Sequence, residues 1–357
     1  MFFRMSVIIM VKTESFRGRD FITLLDYTKE EVETLLEVGL DLKRKFATGE
    51  PHKLLDAKTL FMIFYNQSLR TRNSFEAGMT QLGGHAHFLD PSKIYAPALE
   101  GDEKAYSTER VSDVARVLAR MGHGIAIRCY GDPVGWIYGR ANEIINNFAH
   151  WSHIPVINME DDKYHPCQAL ADIMTVKEKF GGFKGVKFVM SWAYSPSVHK
   201  PLAVPQSAVI AATKMGCETV LAHPKGMELD DEVIKQCKIY AEENESSFEI
   251  MNDMDEAFEG AQVVYPKAWT CREFIPPWND KPELEKSQEL FDKNKHWICD
   301  DEKMKIAGPK AAYMHCLPCD RGFEVTNSVI DGPQSIAFDQ AENRLHAQKA
   351  VMALTMR

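Results

Sequence analysis

Two hydroxyls and two arginines fall within five residues at Ser68-Leu69-Arg70-Thr71-Arg72, between an apolar run ending at Tyr65 and a helical pattern from Asn73 to Leu82. The start of a helix carries unpaired backbone N–H groups and the positive end of the dipole, so a phosphate placed there gains donors and charge together. The guanidinium groups of Arg70 and Arg72 would add planar forks that grip phosphate bidentately, and Ser68 and Thr71 would add hydroxyls. The ordinary alternative is that Ser68 merely caps the helix while the arginines lie on a solvated face. Placement after a strand, at the carboxyl edge where α/β ligands bind, favours a phosphate cradle built without glycine.

Three further segments carry chemistry. In His165-Pro166-Cys167-Gln168-Ala169-Leu170-Ala171-Asp172, Pro166 is preset for the first turn of a helix with His165 just outside it. An imidazole and an amide one turn apart can both reach one small planar group, donating to its oxygen and accepting from its nitrogen. The plain alternative is a helix cap and a buried structural histidine. In Met314-His315-Cys316-Leu317-Pro318 a strand runs into a proline-fixed loop whose free carbonyls could meet a ligand NH₂ group. A nucleophilic Cys316 would need a base beside it, and strand alternation points His315 the other way. Finally, Arg344 in Ala341-Glu342-Asn343-Arg344-Leu345-His346 and Arg128 at a strand end each either enter a cleft or lie on the surface.

The elements that must position these groups follow from periodicity. Apolar runs predict strands at 59–65, 125–130, 155–158, 187–192, 219–223, 263–265, 311–315 and 335–338, alternating with helices, which is the signature of parallel α/β architecture. Thr28 and Glu31 form a capping box ahead of Val32, Leu35 and Leu36, and Val111, Val114, Ala115 and Leu118 make one helical face. A last helix over about 341–356 should pack back on the first domain. A polar interruption over 158–164 divides the chain into a domain at 15–160, completed by the C-terminal helix 339–357, and a second at 161–338. Function is expected between the two doubly wound parallel sheets. The stretches 90–108 and 195–205 read as irregular, the first longer than a connection needs and the second rich in proline.

Composition narrows the class. The 357 residues exceed what one core usually serves, and 45% hydrophobic with 26% charged residues is a folded, globular composition. A net charge of -9 argues against nucleic-acid and anionic-membrane partners. No apolar run approaches the roughly 20 residues that span a bilayer. The opening MFFRMSVIIMVK is too short in its apolar part for a signal segment and reads as a frayed leader or an edge strand. Eight scattered cysteines fit reduced thiols in the cytosol, and Cys316 with Cys319 is a single C-x-x-C without a second pair. No G-x-G-x-x-G follows a strand, which sets aside a nucleotide-dependent dehydrogenase.

Taken in order, the four segments resemble the aspartate and ornithine carbamoyltransferase family across nearly the whole chain. Ser68-Leu69-Arg70-Thr71-Arg72 is similar to the family's Ser-Thr-Arg-Thr-Arg loop, His165-Pro166-Cys167-Gln168 to its His-Pro-x-Gln motif, and His315-Cys316-Leu317-Pro318 to the ornithine-type His-Cys-Leu-Pro. The resemblance implies a carbamoyltransferase that moves a carbamoyl group between carbamoyl phosphate and an amino-bearing small acid, without metal or cofactor. It implies that Ser68, Leu69, Arg70 and Thr71 hold the phosphate, that Thr71, Arg128, His165 and Arg344 surround the carbonyl oxygen, and that Gln168 and Leu317, with Cys316 alongside, hold the NH₂ group. Arg128, His165 and Arg344 would be catalytic. A cytoplasmic homotrimer with shared active sites is further implied, the neighbour's 90–108 loop and its Lys104 completing each site. A catalytically silent paralogue that binds a phosphorylated ligand is the competing expectation.

The acceptor side departs from the common members. Pro266-Lys267-Ala268-Trp269 stands where ornithine enzymes carry Ser-Met-Gly, and Trp192-Ala193-Tyr194-Ser195-Pro196 resembles the knotted acetylornithine and succinylornithine branch, in which later chain threads a proline-rich loop. Trp192, Tyr194, Lys267, Trp269 and Cys316 are thereby implied as acceptor contacts, in a second domain that is knotted. Cys319-Asp320-Arg321 replaces that branch's basic pair, and Asp320 disfavours a carboxylate there.

Overall fold

The computed structural model describes residues 13–357; the expected leader or edge strand at the start lies outside them. Among the described residues eleven strands form in chain order: β1 (Thr59–Phe64), β2 (His85–Leu89), β3 (Ala96–Ala98), β4 (Thr108–Arg110), β5 (Gly124–Arg128), β6 (Val156–Glu160), β7 (Lys187–Trp192), β8 (Glu218–Ala222), β9 (Phe248–Met251), β10 (Val263–Lys267) and β11 (Ala312–Tyr313). They make a four-stranded sheet in the order β2-β1-β5-β6, a five-stranded sheet in the order β11-β10-β7-β8-β9 and a small β3-β4 ladder, and every pairing is parallel. Parallel strands need crossovers, and the helices between them supply these on both faces.

The helices are α1 (Lys29–Thr48), α2 (Leu69–Gln81), α3 (Val111–Ala119), α4 (Arg140–Trp151), α5 (Pro166–Phe180), α6 (Ala203–Met215), α7 (Asp231–Glu243), α8 (Met254–Phe258), α9 (Leu284–Lys293), α10 (Asp301–Ala307), α11 (Asn327–Ile330) and α12 (Ala337–Thr355). Strand alternation sorts the core of the first sheet. Ile63, Ile125 and Ile127 pack with Val114, Ala115 and Ile144 of α3 and α4, while Leu60, Met62 and Ala126 belong to the larger core that α1, α2 and α12 share with the second sheet. The capping box forms, with Thr28 accepting from Glu31 N at 3.2 Å and Glu31 from Thr28 N at 2.9 Å, and α1 ends on Gly49 at φ 71°, a left-handed stop that glycine adopts without steric cost.

As expected, α12 returns to the first domain, where it packs on α1 and α2, and it packs also on α5, beyond the expected boundary. The 335–338 strand does not form. Only a single bridge joins Tyr313 to Ser335, and the helix-favouring run that follows begins at Ala337, leaving too few residues for a strand. Of the four strands absent from the sequence reading, β2 and β9 are sheet edges with several exposed side chains, so no apolar run marks them, and β3 and β4 are three-residue strands of the small ladder. The irregular 90–108 stretch holds β3 and most of the turn into β4. Among the described residues no helix is long and apolar enough to cross a membrane.

Candidate active site

The carboxyl ends of the two sheets face a cleft of about 240 Å³ whose wall includes Ser68, Arg70, Thr71, Arg128, Tyr130, Glu160, His165, Gln168, Lys200, Lys267, Cys316, Leu317 and Arg344. Ser68 is the cap of α2, accepting from Thr71 N at 3.2 Å, which places Arg70 and Thr71 in the first turn beside the free N–H groups. Two members of the segment turn away. Arg72 pairs with Glu76 at 2.9 Å and lies over the Phe88 ring, and the Leu69 side chain is 73% exposed, so Leu69 can offer the cleft only its backbone N–H.

A bulge sets the opposite wall. Ile127 pairs with Asn158 but Arg128 with Glu160, so the register skips Met159 and brings Arg128 against Glu160 as a buried ion pair. Arg128 also donates to Tyr130 Oη at 2.9 Å. His165 Nε2 lies 3.5 Å from the same Glu160 carboxylate. Burial, with the charges of Arg344, Arg128 and Arg70, holds the His165 imidazole well below its ordinary range, so it stays neutral and keeps one N–H to donate.

From α12, Arg344 donates to Gln168 Oε1 at 2.7 Å and to Thr71 Oγ1 at 3.1 Å, joining α5 and α2 to the last helix. Gln168 in turn donates to Asp172 Oδ1 at 2.7 Å, and the same oxygen accepts from Gln340 at 2.5 Å. Gln340 Oε1 accepts from His315 N at 2.7 Å, so one buried carboxylate ties the cleft amide to the 315–318 loop. Within that loop Leu317 sits at φ 55°, unusual for a branched residue, and donates its N–H to His315 Nδ1 at 2.8 Å. His315 Nε2 therefore carries the ring proton, and it lies 3.3 Å from Glu324, on the far side from a nucleophile's reach. Burial pushes the Cys316 thiol up to about 11, which keeps it neutral and a poor nucleophile.

The acceptor residues implied by resemblance divide. Lys267 and Cys316 are on the cleft wall. Trp192, the last residue of β7, and Trp269, just past β10, are fully buried in the larger core and donate their indole N–H to the carbonyls of Trp269 and Met227. Tyr194 donates to Asp292 at 3.0 Å, away from the cleft. Glu160, Tyr130 and Lys200 were not anticipated. Glu160 could have been found as an acid closing an apolar run beside the His165 segment; Lys200 has no spacing relation to any motif.

A two-domain α/β protein with a helix N-terminus, two arginines without acidic partners among the described residues and an amide converging on one cleft is built to hold a small phosphorylated, amide-bearing molecule and polarise it. Residues 19–178 match the family model for the carbamoyl-phosphate-binding domain of aspartate/ornithine carbamoyltransferases, and residues 202–355 match the Asp/Orn-binding domain. The chain belongs to the aspartate/ornithine carbamoyltransferase family and is a carbamoyltransferase. It is 40% identical to the ornithine carbamoyltransferase of Pyrococcus abyssi over 96% of this chain and 97% of that one. It is 38% identical to the N-acetylornithine carbamoyltransferase of Xylella fastidiosa, covering 94% and 98%. Among solved structures, acetylornithine transcarbamylase complexed with acetylcitrulline aligns with a TM-score of 0.86 at 35% identity, over 95% of this chain and 99% of that chain. Ornithine carbamoyltransferase from Pyrococcus furiosus aligns with 0.79 at 40%, over 96% and 98%. Sequence likeness is thus slightly higher to the ornithine enzyme and structural likeness higher to the acetylornithine enzyme.

Proposed function

We propose that this cleft transfers the carbamoyl group of carbamoyl phosphate to the amino group of a small amino acid, releasing phosphate, with the following division of labour. The phosphate lies at the start of α2 on Ser68, Arg70, Thr71 and the Leu69 N–H. The carbonyl oxygen faces Thr71, Arg128, His165 and Arg344, and the NH₂ group donates hydrogen bonds to Gln168 Oε1 and the Leu317 carbonyl. The acceptor's neutral amine attacks the carbonyl carbon, the electron pair moves onto the oxygen, and the donors around it stabilise the charge before it develops fully. The electrons then return, the C–O bond to phosphate breaks, and the departing phosphate takes the amine's proton. The observation that carries this reading is the meeting of Thr71, Gln168 and Arg344, from three helices, at one corner of the cleft.

The same reading takes the division near 160/161 as the domain boundary, a knot in the second domain through the loop after β7, and a cytoplasmic homotrimer in which a neighbour's 90–108 loop closes each site; Lys104 in that loop is exposed. The deciding experiment is ureido-product formation by the purified protein with carbamoyl phosphate and a panel of amino acids. Product with any acceptor supports transfer; carbamoyl phosphate that raises the melting temperature without product would instead support a silent binding paralogue.

A further inference from the structure

The charges of the cleft are unevenly distributed. Beside α2, Arg70 and Arg344 have no carboxylate partner among the described residues, so two positive charges stand uncompensated where dianionic carbamoyl phosphate would lie. On the second-domain side every cation of the wall is already matched. Lys267 Nζ is 3.3 Å from Glu324 Oε1, and Lys200 Nζ is 2.8 Å from Asp320 Oδ2.

These acids are built in. Glu324 is fully buried and accepts from Ala268 N and Asp320 N at 2.7 Å each, while Asp320 Oδ2 also accepts from Ser195 Oγ at 2.6 Å. A lysine whose charge is already met by a fixed carboxylate offers little to a second one, and a carboxylate taken from water without a free cation is strongly disfavoured.

We propose that Asp320 and Glu324 are specificity-determining residues that mask Lys200 and Lys267, so that the acceptor tail binds best with no net charge. The tail is everything beyond the attacking amine. A diamino acid that keeps an ammonium beside its carboxylate meets this condition; acylating that nitrogen removes the positive charge and leaves the tail at −1. The inference rests on the carbamoyl-transfer reading and selects among its acceptors.

The test compares kcat/KM for 2,3-diaminopropionate, 2,4-diaminobutyrate and ornithine with their Nα-acetyl forms, in the wild type and in Asp320→Asn. The wild type should favour at least one free diamino acid over its acetyl form by ~10-fold or more, the scale of an uncompensated charge in a partly buried site. Asp320→Asn frees Lys200 while keeping an oxygen for Ser195, and should narrow that ratio by about fivefold or more. Glu324→Gln repeats the test at Lys267, and its melting temperature shows whether the buried network survives. Acetylated acceptors leading in the wild type, or an unchanged ratio in Asp320→Asn, would overturn the masking role while leaving carbamoyl transfer standing. Absence of product with every acceptor would overturn carbamoyl transfer and the masking role together.

Discussion

Arg344 Nη1 donates to Gln168 Oε1 at 2.7 Å, the amide oxygen proposed to accept from the carbamoyl NH₂. That oxygen has a second lone pair, so a carbamoyl NH₂ can donate to it beside the guanidinium. Replacing Arg344 with lysine keeps the charge but removes the fork that reaches Gln168 and Thr71 together. Arg344→Lys should lower kcat by ~10²–10³-fold, the typical cost of losing one preset donor to a developing oxyanion. Steady-state kinetics decide it, and a loss confined to KM would place Arg344 in ground-state binding alone.

Arg70 bears on the other half of the ligand. With no acidic partner among the described residues, its guanidinium is free for phosphate. Arg70→Ala should abolish measurable use of carbamoyl phosphate and the thermal shift that carbamoyl phosphate gives, because a charge-assisted bidentate contact is lost outright. Near-normal rates in this variant would sink the phosphate assignment.

Asp172 links stability to pH. Burial raises its carboxyl from 3.8 up to about 7, against the lowering contacts of Gln168 and Gln340. The folded protein thus holds a proton that the unfolded chain releases, so this contribution is complete below pH ~4 and is lost as pH rises through about 7. Asp172→Asn cannot ionise, and its melting temperature relative to wild type should become more positive between pH 4 and pH 8. The change is bounded by roughly 1.4 kcal/mol per pH unit. A constant difference across that range would mean that Asp172 is ionised throughout.

Gly84 joins α2 to β2 in a space with no room for a methyl group. An added Cβ would lie 2.5 Å from Met79 Cε, 2.8 Å from the Lys58 carbonyl and 3.0 Å from the Leu55 carbonyl. Gly84→Ala should destabilise by ~1–3 kcal/mol, since backbone carbonyls cannot step aside as a flexible side chain can. Gly182→Ala, with nothing within 4 Å, is the matched control, and thermal melts of the two should separate clearly.

How far these features could be read beforehand depends on where each residue's information lies. β7 runs from Lys187 to Trp192 as its apolar pattern predicts, because a central strand buried on both faces leaves an uninterrupted run. The edge strand His85–Leu89 has no such run. Ser68, Arg70, Thr71, His165, Gln168 and Arg344 were legible because each belongs to a local pattern at a helix start or on a helix face. Glu160 looked like the opening of a polar break, and only the bulge at Met159 brings it to Arg128. Trp192 and Trp269 show the reverse error: sequence proximity to the acceptor segment did not fix which way their rings turn, and the core took both.

The return of α12 to the first domain also sets an order of assembly. Its contacts with α1, α2 and α5 complete a core whose other parts are synthesised far earlier, and Arg344 follows Thr71 by 273 residues. A growing chain that folds from its N-terminal side must therefore carry the first domain unfinished while the entire second domain is made. Throughout that interval the faces of α1, α2 and α5 that α12 covers stay open to water or to a chaperone, and Thr71 and Gln168 lack Arg344.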